Sequence, residues 1–358
     1  MQTLRIVPDV RSSVVEEMPA GQVLLFTSQR GDIEPQLLAH PAVHPFSWPR
    51  LLRALRDPDL ELIEVAEPLW LGEWVRALRH VALARLLRPR RRVAVATYAI
   101  ENLDARERCR FPSLDAHPRL GAVVSRVVLA AVGLSVRALD VVVFGTSGAA
   151  ENYRRAFGRS LRARHTVLTP RLGPCRVCGP VPAGVDLRDR TVLFLGTPSE
   201  RKGFGVLTDA WERSGAAGRG WRLVVADPSG DVDRPVPPGV AITTPTRREV
   251  HELLRRSAVV AMPSVRRRRW REQIGLPLVE GLAHGCRVVT TTETGLADDL
   301  RGHPLVTLTT PGDAADLAEG LRRATEPGPR PDTAAPPAGW TKRDVVAWWL
   351  DARATAAP

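Results

Sequence analysis

Two carboxylates eight residues apart, Glu272 and Glu280, bracket the turn Gln273-Ile274-Gly275-Leu276-Pro277 within "REQIGLPLVEGLAHGCRVVTTT", Arg271 to Thr292. Leu278, Val279 and Leu282 follow at helical spacing, Gly285 closes them, and Cys286 to Thr290 reads as a strand. The first N–H groups of a helix lack internal partners and sit at the positive end of the macrodipole, so a phosphate binds there with little desolvation cost. Pro277 suits the first turn, where its missing N–H does no harm. Glu272, ahead of the turn, can accept hydrogen bonds from hydroxyls of a molecule held at the helix end. Glu280, about one turn in, can reach vicinal hydroxyls on the other side. Sugar hydroxyls, a diphosphate and ribose hydroxyls are the parts of a nucleotide sugar. A bare Glu-x7-Glu would more simply be a surface acid and a helix-face acid; the Gly-Leu-Pro turn and "GLAHGCRVV" favour the ligand reading.

A second group precedes it. In "TVLFLGTPSERKGFGVLTDAW", Thr191 to Trp211, a strand ends at Gly196, and Arg201 and Lys202 stand before Gly203 at the opening of a helix. Lys202 can face an anion, or the pair can be ordinary surface charge. Glu101 follows the strand "RVAVATYAI"; open α/β sheets bind ligands at strand C-terminal ends. It can orient or deprotonate an acceptor hydroxyl, or serve as a helix-capping acid in "ENLDARER".

The 271–292 segment resembles the donor-site signature of retaining glycosyltransferases of family 4, which have the GT-B fold: a Glu, a Phe/Ile-Gly-Leu turn, then Glu-Ala/Gly-Met/Leu-Ala-x-Gly. The 191–211 segment is similar to that family's strand–glycine–Lys-Gly–helix unit, and "SAVVAMPSV", Ser257 to Val265, to its buried strand ending in Pro-Ser. The resemblance covers about residues 190–325 and is weak over the first 185. It implies two Rossmann-like α/β domains facing a central cleft, and transfer of a sugar, of hexosyl type, from a nucleotide-sugar donor to a hydroxyl with retention. Glu272, Lys202 and Glu101 are the expected catalytic residues. Gly196, Arg201, Lys202, Gly275, Leu276, Pro277 and Glu280 are the expected donor-binding residues, with no metal and no cofactor. Three positions depart from the family. No glycine-rich loop follows the first strand, Ala99 stands where many members have His, and Thr197 stands where an Arg usually follows the strand-ending glycine. The second cation is then missing or supplied by Arg201. A catalytically silent homologue acting as a partner subunit is the first alternative, and a basic nucleic-acid-binding protein, suggested by charge alone, is the last.

Alternating apolar β-branched runs and helical patterns must position these groups, which argues for parallel sheets with crossover helices. Strands are expected at "TLRIV", "QVLLFTS", "LELIEVA", "RVAVATYAI", "DVVVFGT" and "HTVLTP", then at "TVLFLG", "WRLVVAD", "GVAITT", "AVVAMP", "CRVVTT" and "PLVTLT". An acceptor-side domain over 1–185, a donor domain over 186–330 and a last helix over 331–358 crossing back to the first domain follow. Trp348 and Trp349 on that helix suit docking.

The 358 residues carry 44% hydrophobic residues and a formal charge of +12, enough for two cores and an attraction to anions. Nothing resembles a recognition helix, RNA-binding aromatic pair or zinc module, so nucleic acid is not an expected partner. No signal-peptide pattern opens the chain and no apolar run reaches spanning length, Arg126 interrupting the best one, so a cytoplasmic protein is expected. The basic amphipathic segment 76–92 and the run Arg266 to Arg271 around Trp270 suggest peripheral attachment to an anionic inner leaflet, with a lipid-linked or envelope glycan acceptor. Packing of 76–92 on the first sheet and a solvated arginine loop are the plainer alternatives. Cys175 and Cys178 form a lone CxxC without a second ligand pair in the sequence, which reads as reduced thiols of a linker.

Overall fold

The computed structural model describes residues 2–16, 18–30, 33–88, 93–168, 175, 178, 188–227, 239–326, 346, 348 and 349. Contacts divide the chain into Met1–Thr169 with Trp340–Pro358, and Pro170–Gly339.

The first unit holds strands β1 (Gln2–Val10), β2 (Gln22–Gln29), β3 (Val43–Pro45), β4 (Leu60–Val65), β5 (Ala94–Ala99), β6 (Val141–Phe144) and β7 (Arg164–Val167). They form one parallel sheet in the order β3-β2-β1-β4-β5-β6-β7. Helices cover both faces of such a sheet, which is why β6, Val-Val-Val-Phe, is buried at every residue. All six strands expected here are present. β3 was not expected: three residues carry no alternation, and its Pro45 is tolerated only because the strand lies at the sheet edge.

Helix Leu71–Leu87 buries Trp74, Ala77, Val81 and Ala84 in the core, and Trp74 Nε1 donates to Ser135 Oγ at 2.7 Å. Leu83 and Leu87 also pack against that core. The apolar residues that gave segment 76–92 its interfacial character are therefore mostly spent inside the unit; residues 89–92 lie outside the described residues. A different helix is left apolar outside. Pro118–Ser135 continues in a 3-10 turn, and Pro118–Ala138 is long and apolar enough by length and composition to cross a membrane, with mean hydropathy 1.7, despite Arg126. Val128, Leu129, Val132 and Val136 face the core, whereas Leu120, Val123, Val127 and Leu134 are 52–63% exposed. One side is thus a packed part of the unit and the opposite side is an apolar surface stripe. Of the expected last helix, Val346, Trp348 and Trp349 are described and helical; Val346 and Trp349 are buried with Leu62, Ala96, Val141 and Val143 of the first sheet. The Pro-rich stretch 327–337 lies outside the described residues.

The second unit holds β8 (Asp189–Leu195), β9 (Arg222–Ala226), β10 (Val240–Thr243), β11 (Ser257–Met262), β12 (Arg287–Thr291) and β13 (Val306–Thr309), all parallel in the order β10-β9-β8-β11-β12-β13. Each was expected. Strand order reverses between β8 and β11, and open α/β sheets bind ligands where the connections diverge at such a point. The segments leaving β8 and β11 are the two that carry Lys202 and Glu272.

Candidate functional site

β8 delivers Gly196, with φ 131°, and Thr197, whose hydroxyl donates to Asp227 Oδ1 at 3.1 Å. A 3-10 turn, Glu200–Lys202, follows and ends at Gly203 in the left-handed region, φ 69°. A Cβ at Gly203 would overlap the Pro263 carbonyl, so glycine lets this loop lie directly on the exit of β11. Val265 N–H donates to Arg201 C=O at 3.0 Å and pins the same contact.

That juxtaposition places Lys202 Nζ against the Glu272 carboxylate, which also accepts from Ser264 Oγ at 3.1 Å. The two side chains are only 16% and 12% exposed, so solvent screens the pair little and both groups hold position. Arg201 stacks on Trp270, its guanidinium carbon 4.9 Å from the ring centroid, and Lys202 Nζ lies 5.7 Å from the same ring. The arginine run is a tight turn closed by Arg267 N–H to Trp270 C=O at 3.1 Å and the reverse bond at 3.0 Å. Arg269 takes φ 64°, an unfavourable backbone for a residue with a Cβ. Arg266, Arg267 and Arg268 are exposed, and Arg271 pairs with Glu293 at 3.0 Å.

Helix Leu276–Ala283 starts where the sequence placed it. Gly275 caps it at φ 78°, and a Cβ there would lie 2.6 Å from Met262 Cε, so the cap packs tightly on the end of β11. Leu276 is 38% exposed at the positive end of the helix; Pro277 has no N–H, and the Leu278 and Val279 N–H groups donate to Gly275 C=O at 2.9 and 3.5 Å. Glu280 lies on the buried side, paired with Arg247 Nη1 at 2.7 Å; the side chains are 11% and 14% exposed. Sequence reading missed Arg247, whose only local signal was the Thr246–Glu249 capping box that starts its helix, Arg247–Arg256.

Glu101, on the first unit, is 4% exposed. It is not a helix cap: Asp104 caps helix Ala105–Arg108, while Glu101 accepts from Leu103 N–H at 3.0 Å and meets Arg108 Nε at 3.4 Å. Beside it is a carboxyl the sequence did not single out. Glu67, just past β4 and next to that sheet's own strand-order reversal, is 1% exposed. It accepts from Ile100 N–H, Glu101 N–H and Tyr153 Oη at 3.1, 3.2 and 2.9 Å. Burial, reinforced by the Glu101 carboxylate, pushes the Glu67 carboxyl up to about 8. Ala99, in the place of the family His, is fully buried and carries no chemistry.

The two CxxC thiols, expected to be linker residues without ligand partners, are not alone. The fold brings Cys175 and Cys178 to His251 and His284, one donor atom from each lying within 4.8 Å of the others. Ligand spacing in the sequence cannot reveal this, because the two histidines are 33 residues apart on different helical segments.

With this geometry, comparison with known proteins gives a definite result for the second unit. Residues 189–326 match the family "Glycosyl transferases group 1". No curated protein sequence matches the chain. Among solved structures, Anabaena HepE in complex with UDP is similar over 90% of this chain and 89% of its own, at 16% identity and TM-score 0.60. WaaG, a glycosyltransferase involved in lipopolysaccharide biosynthesis, is similar over 99% and 95%, at 16% identity and TM-score 0.58. A UDP-forming α,α-trehalose-phosphate synthase from Burkholderia xenovorans is similar over the full length of both chains, at 14% identity and TM-score 0.58. The fold is GT-B, and at these identities the likeness carries the fold alone. The matched glycosyl transferases group 1 domain contains all of Gly196, Arg201, Lys202, Glu272, Gly275, Leu276, Pro277 and Glu280.

Proposed function

We propose that this protein transfers a sugar, of hexosyl type, from a nucleoside-diphosphate donor to an acceptor hydroxyl with retention at the anomeric carbon. The observation that carries the reading is the convergence of Lys202, Glu272 and the start of helix Leu276–Ala283 at the β8/β11 switch point. Lys202 and the positive end of helix Leu276–Ala283 neutralise the diphosphate, and they stabilise it further as the leaving group gains charge. Arg201, held on Trp270, supplies the second cation that Thr197 does not. Glu272 accepts from hydroxyls of the transferred sugar. Glu280, kept anionic and oriented by Arg247, accepts from the ribose. On the first unit Glu101, with Glu67 beside it, is the candidate group for orienting and deprotonating the acceptor. The bound UDP and UDP-glucose of the HepE structures support a nucleotide-sugar donor. A thermal-shift panel of nucleoside diphosphates and their sugars, followed by NMR of the product anomer, tests the reading. An inverted product, or no ligand-induced stabilisation by any member, refutes it; donor binding without turnover on glycan and lipid-linked acceptors favours a silent partner subunit.

Peripheral attachment to an anionic cytoplasmic leaflet belongs to the same proposal, but its best-supported seat is helix Pro118–Ser135. Leu120, Val123, Val127 and Leu134 form one exposed apolar line, and exposed Arg119 and Arg126, seven residues apart, flank it. An amphipathic helix lying in the interface plane has this pattern, and a lipid-linked acceptor would then be within reach of the enzyme.

A further inference from the structure

We propose that Cys175, Cys178, His251 and His284 form a structural zinc site that fastens the segment before β8 to the helices bearing Arg247 and Glu280. Two of the donor separations match those of a tetrahedral S2N2 centre. Bond lengths of about 2.3 Å to sulfur and about 2.0–2.1 Å to nitrogen place a sulfur and a nitrogen ligand roughly 3.5 Å apart and two nitrogens roughly 3.3 Å apart. Cys175 Sγ lies 3.4 Å from His251 Nδ1, and His251 Nδ1 lies 3.4 Å from His284 Nε2. All four donor atoms fall within 4.8 Å of one another.

The tautomer agrees with the geometry. His284 Nδ1 sits 2.7 Å from the Glu280 carbonyl, which can only accept, so the ring proton is on Nδ1 and the Nε2 lone pair points at the cluster. A backbone carbonyl orienting a ring in this way is the usual outer partner of a metal-bound histidine. His251 and His284 are 6% and 2% exposed, and the cysteines are half-buried, so the site is closed, as structural zinc sites are. Binding Zn²⁺ releases the two thiol protons to solvent, and two thiolates with two neutral imidazoles leave a centre of zero net charge. Sulfur with imidazole selects zinc over magnesium or calcium, which take oxygen.

The site also completes a ladder. Arg247 and His251 are one turn apart on one helix; Glu280 and His284 are one turn apart on the other. The first rung is the Arg247–Glu280 pair at 2.7 Å and the second is His251 with His284. The metal therefore fixes the helix whose far end is the proposed diphosphate seat.

The test is metal analysis of the full-length chain purified without added metal, then cobalt titration of chelator-stripped protein. About one zinc per chain is expected, with a thiolate-to-cobalt charge-transfer band and tetrahedral d–d bands for cobalt. Cys175→Ser with Cys178→Ser should abolish the band, and His251→Ala should weaken it. Wild-type cobalt spectra decide the matter even where a variant fails to fold. Far less than one zinc with no thiolate–cobalt band, metal retained by both variants, or a stoichiometric Cys175–Cys178 disulfide overturns the site. None of these readouts involves donor binding or turnover, so failure here is separable from failure of the transferase reading.

Discussion

Replacing Glu280 tests the donor site most directly, provided its two roles are separated. Glu280→Ala removes the proposed ribose acceptor and also strips Arg247, only 14% exposed, of its carboxylate. Losing one member of a buried pair costs about 3–5 kcal/mol of stability, enough to confuse a binding measurement with partial unfolding. Glu280→Gln keeps the shape and one acceptor oxygen. It converts a charge-assisted hydrogen bond of about 1.5–3 kcal/mol into a neutral one of about 0.5–1.5 kcal/mol. The difference, roughly 1–1.5 kcal/mol, corresponds to a Kd about 5- to 12-fold weaker; the alanine variant, if folded, should be roughly 10- to 150-fold weaker.

Isothermal titration with the best-binding nucleoside diphosphate of the panel measures this, with thermal melts of each variant as the folding control. The matching deoxynucleotides close a double-mutant cycle. A nucleotide lacking the hydroxyl that Glu280 holds should bind wild type and Glu280→Gln about equally. A folded Glu280→Gln that binds every ribonucleotide within twofold of wild type, accompanied by a folded alanine variant that does the same, refutes the ribose assignment. Weakening that is equal for ribo- and deoxynucleotides moves Glu280 from contact to scaffold.

The remaining expectations use other parts of the molecule. Glu67 titrates near 8 in the folded chain against an ordinary 4.5, so between those values the native state holds a proton that the unfolded state has lost. Stability should therefore fall by a few kcal/mol as pH rises from about 5 to 8 and level off above; denaturant melts should show the slope, and Glu67→Gln should flatten it. Lys202→Ala should lower donor affinity and kcat together while raising no divalent-ion requirement, and dependence of the zinc-replete wild-type enzyme on added manganese would contradict the metal-free donor site. Arg269→Gly, relieving φ 64°, should raise the unfolding free energy by about 1 kcal/mol; an unchanged or lower value in urea melts would show that the turn's charge outweighs its strain. Val123→Asp with Val127→Asp should abolish sedimentation with anionic vesicles while leaving soluble-donor hydrolysis intact. Equal binding of wild type to neutral vesicles would show that Arg119 and Arg126 do not contribute, since their attraction is both charge-specific and screened by salt.

What the sequence made legible was local. Strands such as Val-Val-Val-Phe and Ser-Ala-Val-Val-Ala-Met announce burial on both faces, and twelve of the thirteen strands among the described residues were readable on that ground. The three-residue β3 was not, because a short edge strand has no period to detect. The start of helix Leu276–Ala283 was legible because Gly275 and Pro277 are backbone devices whose meaning is fixed within a few residues. Helix Leu71–Leu87 shows the opposite case. Its mix of arginine and leucine fits an interface or a core equally, and only the neighbours of Val81 and Ala84 decide for the core. On Pro118–Ser135 the helical pattern was legible, and Arg126 counted only against a spanning length, although it lies on the outer side and interrupts nothing that packs.

What escaped sequence reading at the candidate sites shares one property: it depends on residues far apart along the chain. Lys202 and Glu272 were recognised separately, from turn and helix signals, but their pairing across 70 residues exists only because β8 and β11 are neighbours at the switch point. Arg247 is an unremarkable first-turn residue until Glu280 lies 2.7 Å away. Glu67 is an ordinary acid until Tyr153, 86 residues on, and Glu101 close around it and leave its carboxyl out of water. The CxxC thiols lack a ligand pair in sequence and gain two imidazoles in space. Parallel sheets produce this pattern by construction. Every strand-to-strand step needs a crossover, so residues at adjacent strand ends are necessarily tens of residues apart. Spacing rules calibrated on one helix or one turn therefore find the scaffold of such a site, while the groups that set its charge come from the topology.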